Sequence, residues 1–294
     1  MVSYSCKEEE VIATGISIKS SPAKVKYTEG ETLDLTGLEV TLSSSDGTDE
    51  DIGVTAFPLS NIECSPDSGD VLSTSDTVVT ITHSPSGEFC TQDITIRDWK
   101  TDYDGYTYKT VTIGNQTWMA ENLRVTHFPD GTAIQLVTDS TEWDSYGTAG
   151  AYCYYDNETS SEYGVLYKYA TAKKVCPIGW HLPSYAEWQE LRKYVKEDGH
   201  PDDDGTALKA TTGWSDNGNG TDVYGFSALP GGMRSAGGSF RHSGTMGLWW
   251  TSSTISLFVG NPAEIFYLQS DTSILESDYT YREYGLSVRC VRDE

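Results

Sequence analysis

A polar loop between Trp214 and Tyr224 offers the side chains best suited to hold an ion or a ligand. Its oxygen-bearing candidates are Asp216, Asn217, Asn219 and Asp222. Calcium takes several hard oxygens from one flexible loop, so this segment is a candidate site for calcium or for a sugar bound through calcium. The same residue types also form ordinary solvated turns, and the sequence leaves both interpretations open.

Aromatic side chains near turns of the second half are candidates for the contact surface of a ligand. They are Tyr152, Tyr154, Tyr155, Trp214, Trp249 and Trp250. Aromatic rings stack on sugar rings and anchor protein interfaces. Neighbouring residues of a strand point to opposite faces, so at most one of Trp249 and Trp250 is expected in the core. We therefore predict that Trp214 and one tryptophan of this pair contact the ligand.

The sequence contains no set of residues with the spacing of a familiar catalytic site. Its five histidines are His83, His127, His181, His200 and His242. They are scattered, without the His-x-x-x-His spacing of a metal pair, and there is neither a Gly-x-Ser-x-Gly elbow nor a phosphate-binding loop. We therefore predict a non-enzymatic protein, in which His181 is a packed, hydrogen-bonded core residue.

The cysteine pattern favours structural roles. The six cysteines are Cys6, Cys64, Cys90, Cys153, Cys176 and Cys290. None has the C-x-x-C spacing of a zinc or redox site. Cys64 and Cys90 both lie in the first half and are predicted to pair. Cys176 with Cys290 is the preferred second disulfide, which leaves Cys153 free, and the pairing of Cys153 stays open because an odd number remains after Cys6.

The charge of the chain restricts its partners. Its 294 residues include 44 acidic and 20 basic side chains, for a formal net charge of −24. Such a surface disfavours nucleic acid and also disfavours docking on anionic lipid through a polybasic patch. No apolar run approaches the roughly 20 residues needed to span a bilayer. We therefore expect membrane contact only through an anchor.

The first ten residues resemble such an anchor. Ser5-Cys6 is followed by Lys7 and three glutamates. This pattern resembles the mature start of a bacterial lipoprotein with the surface-export signal used in Bacteroidetes. We therefore predict residues 1–10 as anchor and linker, with Cys6 lipidated and the protein held on the extracellular face of the outer membrane. A disordered tail with an unmodified cysteine is the alternative.

Short alternating strands are predicted throughout residues 11–98, at a spacing of about 8–12 residues. The strand segments include Ile16–Ile18, Leu38–Leu42, Thr77–Thr82 and Cys90–Ile96. Asp46-Gly47 is a hairpin signal. With Tyr27-Thr28-Glu29-Gly30-Glu31, this order resembles a bacterial immunoglobulin-like domain. The resemblance implies an all-β sandwich that serves as a stalk or spacer.

Residues 99–294 form the second predicted domain and contain one clear helix signal. Ser184 is followed by Glu187, the pattern of a capping box. Residues at helical spacing follow, namely Trp188, Leu191, Tyr194 and Val195. They predict one buried helix face. The chain closes with Tyr284–Val291, which alternates like a single strand.

Six segments of this second domain closely resemble the Fibrobacter succinogenes major paralogous domain, a family of secreted and lipid-anchored proteins. They are Gln116–Leu123, Tyr163–Tyr167, Cys176–Trp188, Tyr224–Gly232, Trp249–Thr254 and Tyr284–Val291. The family in turn resembles the C-type lectin-like and formylglycine-generating-enzyme folds, which implies an α+β domain with long structured loops. The chain departs from both of these related folds. It lacks the Glu-Pro-Asn and Trp-Asn-Asp signatures of sugar-binding C-type lectins, and it lacks the reactive cysteine pair near the C-terminus of formylglycine-generating enzymes.

These features predict a surface protein that recognises its ligand through loops of a C-terminal head. Adhesion is the first expectation, with a pilus-tip adhesin as one form of it. The expected partner is a glycan or a host or bacterial surface protein, together with pilus subunits. A lipoprotein that captures glycan for polysaccharide uptake is the alternative. An enzyme of the formylglycine-generating type is third, and the missing cysteine pair argues against it. A structural subunit without a ligand of its own is the remaining alternative. No cofactor is expected, and calcium is the one alternative.

Overall fold

The computed structural model describes residues 11–98, 100–147, 149–159, 162–255 and 261–293. The chain divides into two compact units, residues 1–99 and residues 100–294. The protein is mostly β-sheet, with helices a minor part. The predicted anchor, including Cys6, lies outside the described residues.

The described part of the first unit has eight strands in three sheets. The strands are β1 Ala13–Ser20, β2 Lys26–Thr28, β3 Glu39–Ser44, β4 Asp49–Gly53, β5 Ile62–Ser65, β6 Val78–His83, β7 Phe89–Asp93 and β8 Thr95–Arg97. Strands β1, β3 and β4 form one antiparallel sheet, and β5, β6 and β7 form a second. Strands β2 and β8 pair in parallel.

One apolar core joins the two antiparallel sheets of this unit. It includes Val40 from β3 and Ile52 from β4, together with Val79 and Ile81 from β6. Each such fully buried aliphatic side chain contributes about 1.5–3 kcal/mol to folding. The chain turns between β3 and β4 at Gly47, whose φ of 84° is left-handed. The hairpin predicted from Asp46-Gly47 is therefore confirmed.

Cys64 and Cys90 are free thiols, and the predicted disulfide between them is wrong. Both residues are paired with Ile81, which lies on the strand between them. Adjacent strands lie about 4.8 Å apart, so these two cysteines are separated by about 10 Å. A disulfide needs Cα atoms within about 7 Å of each other. Both side chains pack against the core instead.

The described part of the second unit contains twelve strands and four short to medium α-helices. The strands are β9 Thr110–Ile113, β10 Gln116–Met119, β11 Tyr152–Tyr154, β12 Val165–Lys168, β13 Trp180–His181, β14 Gly231–Arg234, β15 Phe240–Ser243, β16 Met246–Thr254, β17 Ala263–Gln269, β18 Glu276–Thr280, β19 Gly285–Leu286 and β20 Val291–Arg292. The helices are α1 Ser140–Ser145, α2 Tyr169–Ala172, α3 Tyr185–Glu197 and α4 Asp204–Leu208.

These strands form two sheets. The larger has the order β11-β12-β19-β14-β16-β17-β18, with β15 paired to β14, and the smaller has the order β13-β20-β10-β9. Helix α3 joins the two sheets through Trp188. This ring lies 4.8 Å from Trp118 of the smaller sheet and 5.2 Å from Phe266 of the larger. The aromatic cluster around Trp188 is therefore the centre of the core.

The predicted capping box of α3 is confirmed. Ser184 Oγ accepts a hydrogen bond from the Glu187 backbone, and the Glu187 carboxylate accepts one from the Ser184 backbone. Trp188, Leu191 and Val195 are buried. The prediction is wrong for Tyr194, which is 39% exposed because it lies over the β9–β10 turn rather than in the core.

The C-terminal segment ties the two sheets together. Cys290 forms a disulfide with Cys176, with a Cα–Cα distance of 6.0 Å across 114 positions. The single strand predicted over Tyr284–Val291 is wrong, because the chain forms β19 in the larger sheet and then β20 in the smaller. Residues 285–291 are all buried, so the alternation of apolar and polar residues in this segment does not separate a buried face from an exposed one. Cys153 is a free, buried thiol.

Candidate functional site

Trp214, Trp249 and Trp250 are all buried, so the prediction that Trp214 and one tryptophan of the pair contact a ligand is wrong. Trp214 is 5% exposed, and its indole N–H donates to the Ala228 carbonyl at 3.0 Å. Trp249 and Trp250 are both fully buried. The larger sheet is covered on both faces at β16, the strand that carries Trp249 and Trp250. The two rings point to opposite faces, and neither is therefore in solvent.

The contacts of the tryptophan pair show this double cover. Trp249 lies 5.9 Å from Trp188 of α3 on one face. Trp250 lies 5.2 Å from Tyr169 of α2, and its indole N–H donates to the Tyr167 carbonyl at 2.7 Å. Both rings therefore contribute to packing, and neither is available to stack on a ligand.

The polar loop near Trp214 uses two of its four candidate oxygen donors internally. Asn219 Oδ1 accepts the backbone N–H of Trp214 at 3.0 Å. Asp222 accepts the backbone N–H and the hydroxyl of Ser227 at 2.7 and 2.6 Å. Asp216 and Asn217 are exposed at φ of 56° and 59°. The observed contacts are those of an ordered turn.

A different patch of the second unit combines aromatic and charged side chains from three segments. Tyr103 and Asp104 precede β9, His127 follows β10, and Tyr154 ends β11. All four side chains are exposed or half-buried. We call these four residues the tyrosine–histidine surface.

Asp104 orients this surface. Its Oδ1 atom lies 2.5 Å from His127 Nδ1, and its Oδ2 atom accepts the Thr126 backbone N–H at 2.6 Å and hydroxyl at 2.8 Å. Partial burial alone would raise the pKa of Asp104, but the bonds from Thr126 and His127 hold that pKa below its usual value. The carboxylate is therefore ionised and fixes the imidazole orientation.

The Tyr103 ring packs beside this carboxylate–imidazole pair, and Tyr154 is connected to it through Tyr152. The Tyr103 ring is 5.3 Å from the His127 ring, with the planes inclined by 39°. The Tyr103 hydroxyl lies against Gly131, because a Cβ atom at that position would be only 2.6 Å from the hydroxyl oxygen. Tyr152 lies beneath the surface, 7% exposed, and its ring contacts that of Tyr154 at 5.8 Å. Burial, reinforced by Tyr154, raises the pKa of Tyr152 to about 12, so the phenol is neutral.

Two buried tyrosines hold the loops under this surface. Tyr108 Oη donates to Asp102 Oδ2 at 2.6 Å and accepts the Arg124 backbone N–H at 2.9 Å. Tyr167 Oη donates to the Val125 carbonyl at 2.7 Å. These bonds fix the chain immediately before Tyr103 and immediately before Thr126. The exposed side chains are therefore mounted on a rigid backbone.

Buried cations fix the neighbouring loops in a similar way. Arg234 is buried and donates to the carbonyls of Val137 and Thr138 at 2.6 and 2.8 Å. Lys168 Nζ donates to the Trp143 and Gly147 carbonyls, each at 2.9 Å. Burial lowers the pKa of Lys168 to about 8. Both cations satisfy backbone carbonyls that lie outside the strands.

The tyrosine–histidine surface can bind a ligand that offers both an apolar face and hydroxyl groups. Half-exposed rings supply stacking, and a fixed carboxylate and imidazole supply hydrogen bonds. The sequence marks Tyr154 as an aromatic near a turn, but it carries no signal that assigns Tyr103, Asp104 and His127 to a site. Asp104 and His127 are 23 positions apart, and no spacing rule connects two separate loops.

His181 forms a clamp between two carboxylates. Its Nε2 atom lies 2.6 Å from Glu187 Oε1, and its Nδ1 atom lies 2.5 Å from Asp293 Oδ1. The bond to Glu187, together with Asp293, raises the pKa of His181 to about 9. The Ser184 hydroxyl donates to Glu187 and not to the imidazole. The arrangement ties the start of α3 to the chain after β20, and His181 is half-buried rather than in the core.

The described ranges lack two other kinds of feature. No helix in them is long and apolar enough to cross a bilayer. They also contain no group of three or more histidine, cysteine, aspartate or glutamate side chains placed to hold a metal ion. Calcium binding by the polar loop stays a prediction.

Comparison with known proteins identifies the second unit. No curated protein matches the chain. The sequence profile described as the Fibrobacter succinogenes major domain matches residues 111–292, from β9 to β20. This match covers more than half of the chain. The protein therefore belongs to the Fibrobacter succinogenes major domain family.

Proposed function

We propose that this protein is a non-enzymatic recognition or adhesion protein of the cell surface, and that its second unit binds ligand through the tyrosine–histidine surface. One observation carries the proposal. The half-exposed Tyr103 ring packs beside the Asp104–His127 pair, and buried hydrogen bonds fix the chain next to Tyr103 and His127. A preformed surface loses little conformational freedom on binding, which favours affinity.

The finer architecture we propose is an immunoglobulin-like sandwich at residues 11–98 and a C-type lectin-like head at residues 99–294. Two antiparallel sheets around one core support the first. Short strands with long loops held by buried side chains support the second. The first unit would then act as a spacer, and lipidation at Cys6 would hold the protein at the outer membrane. This step rests on analogy between folds.

The proposed ligand is a glycan or a protein of a host or bacterial surface, and an adhesin of this kind would assemble with pilus subunits. Capture of glycan for polysaccharide uptake is the second candidate. The half-exposed rings of Tyr103 and Tyr154 favour it, since aromatic faces stack on the C–H face of a sugar ring. Both candidates use the same surface.

A glycan array probed with the full chain tests the site. The wild type is compared with Tyr103→Ala and Tyr154→Ala, and Tyr279→Ala serves as the control because it removes an exposed tyrosine outside this surface. We expect each site variant to weaken binding by about tenfold, the effect of losing one aromatic anchor. A chelator arm tests calcium at Asp216.

The outcomes separate the alternatives. Equal binding by the wild type and both site variants would show that the ligand lies elsewhere. If no glycan binds, the same variants are tested against surface proteins of host and bacterial origin, including pilus subunits. Failure of every ligand to distinguish the variants from the control contradicts the proposed function.

A further inference from the structure

A second exposed aromatic surface lies in the turn that links β18 to β19. Tyr281 is 64% exposed, and Tyr284 is half-buried. Their ring centroids are 6.4 Å apart with planes inclined by only 22°. The Tyr284 backbone N–H donates to the Tyr281 carbonyl at 3.2 Å, which closes the turn. Two nearly parallel rings are therefore held at a fixed spacing in contact with solvent.

Two cations lie beside this tyrosine pair. The Arg282 guanidinium is 5.1 Å from the centroid of the Tyr169 ring, and Lys173 Nζ is 5.4 Å from the same centroid. The Tyr169 backbone N–H donates to the Arg282 carbonyl at 3.3 Å, which joins helix α2 to the turn. We call Tyr281, Arg282, Tyr284 and Lys173 the tyrosine–cation surface.

The Tyr169 ring is a rigid support for both cations. It is 2% exposed, its hydroxyl donates to the Ser252 carbonyl at 2.9 Å, and it packs edge-on against Trp250. A cation over an aromatic face gains about 0.5–2 kcal/mol, depending on its desolvation. The contacts with Tyr169 therefore restrict where Arg282 and Lys173 can place their charge.

These charges are unusual in a chain with 44 acidic and 20 basic residues. Among the residues that the structure describes, no ion pair within 4.0 Å involves Lys173 or Arg282. Two acidic residues lie in this region without forming such a pair. Glu283 lies near buried Lys168, where it partly offsets the lowering of the lysine pKa by burial, and Glu264 lies near Tyr169.

We propose that the tyrosine–cation surface binds an acidic oligosaccharide whose sugar rings carry carboxylates. A pyranose ring would stack on Tyr281 and Tyr284, and its carboxylate would pair with Arg282 and Lys173. The guanidinium suits a carboxylate because its planar N–H groups match the two oxygens. Flat, nearly parallel rings suit a sugar face better than an acidic peptide. This site is separate from the tyrosine–histidine surface and does not depend on it.

Calorimetry with the full chain tests the proposal, with tetragalacturonic acid as the probe and its methyl ester as the uncharged counterpart. We expect Tyr281→Ala, Lys173→Gln and Arg282→Gln each to weaken binding of the acid by about tenfold. Lys193→Gln is the matched control, because it removes an exposed cation from α3. Binding of the acid should also weaken as salt is raised.

Each outcome of these measurements supports or overturns the proposed site for an acidic oligosaccharide. Equal affinity for the acid and its methyl ester, or unchanged affinity in the three site variants, overturns the proposal. Absence of binding to the acid also overturns it, while leaving glycan binding at the tyrosine–histidine surface untouched. An acidic peptide that binds as tightly as the sugar overturns the assignment to sugars. Tyr281→Ala and Lys173→Gln alter exposed side chains, so they keep the test valid if Arg282→Gln fails to fold.

Discussion

The amide oxygen of Asn122 accepts a hydrogen bond from the Arg289 guanidinium at 3.1 Å, across 167 positions of the chain. The same oxygen accepts the indole N–H of Trp249 at 2.9 Å. Burial lowers the pKa of Arg289 to about 9, so the side chain is still charged at neutral pH. One neutral amide thus satisfies both a buried cation and a buried indole at the centre of the second unit.

Replacement of Asn122 should therefore be costly. Asn122→Ala leaves two buried donors without this acceptor, and we expect a loss of about 3 kcal/mol in the free energy of unfolding. Urea unfolding followed by tryptophan fluorescence measures it, since seven of the eight tryptophans lie beyond residue 100. Asn115→Ala is the control, because Asn115 is exposed in a turn. A loss in Asn122→Ala no larger than in the control would contradict the assigned role.

Two glycines separate backbone strain from contact with Tyr103. Gly131 and Gly105 have φ of 86° and 87°, but a Cβ atom meets Tyr103 only at Gly131. Both alanine variants should lose about 1 kcal/mol from the left-handed backbone. Gly131→Ala should lose more and should also weaken ligand binding, because the Tyr103 ring must move. Parallel urea titrations and binding curves make the comparison, and equal behaviour of the two variants would falsify the proposed contact.

The disulfide should dominate the stability of the second unit. Cys176→Ser with Cys290→Ser opens a loop of 114 positions, and we expect a loss of about 4–5 kcal/mol in the chain-entropy account. Reduction of the wild type should reproduce the loss. The double variant should be insensitive to reductant, whereas Cys64→Ser with Cys90→Ser should keep the wild-type response. Urea unfolding with and without reductant tests all three, and a reductant effect in the Cys176/Cys290 variant would count against this account.

The His181 clamp should make stability depend on pH at both ends. Its bonds raise the pKa of His181 from 6.5 to about 9. The stabilisation by His181 is therefore complete below pH 6.5 and is lost as pH rises through 9. Burial opposes the shift at Glu187, but the bonds from His181 and Ser184 lower its pKa from 4.5 to about 2. Its stabilisation is complete above pH 4.5 and is lost as pH falls through 2.

Thermal unfolding of the wild type and His181→Gln across this range checks the prediction. The difference in Tm should be largest near pH 6 and should vanish above pH 9, where the wild-type imidazole is neutral. His242→Gln is the control, since His242 is an exposed histidine outside the clamp. A difference that stays constant with pH would show that His181 acts by packing and not by charge.

Local features were predictable because their partners are near in sequence. The capping box of α3 needs only Ser184 and Glu187 at a spacing of three, and the first hairpin needs only Asp46-Gly47. The disulfide between Cys176 and Cys290 was also among the predicted pairings. The predicted disulfide between Cys64 and Cys90 is wrong because strand β6 lies between the strands that carry them. The spacing of two cysteines in the sequence does not reveal the order of the strands.

Surface and interior were decided by the tertiary structure. Trp249 and Trp250 are both buried because helices cover both faces of one strand, which alternation cannot show. The tyrosine–histidine and tyrosine–cation surfaces each join residues from separate loops or elements. The sequence alone determined the family, the hairpin and the helix start, since these depend on contiguous residues. Only the packing of sheets and loops decided which aromatic and charged side chains meet, because those contacts join distant parts of the chain.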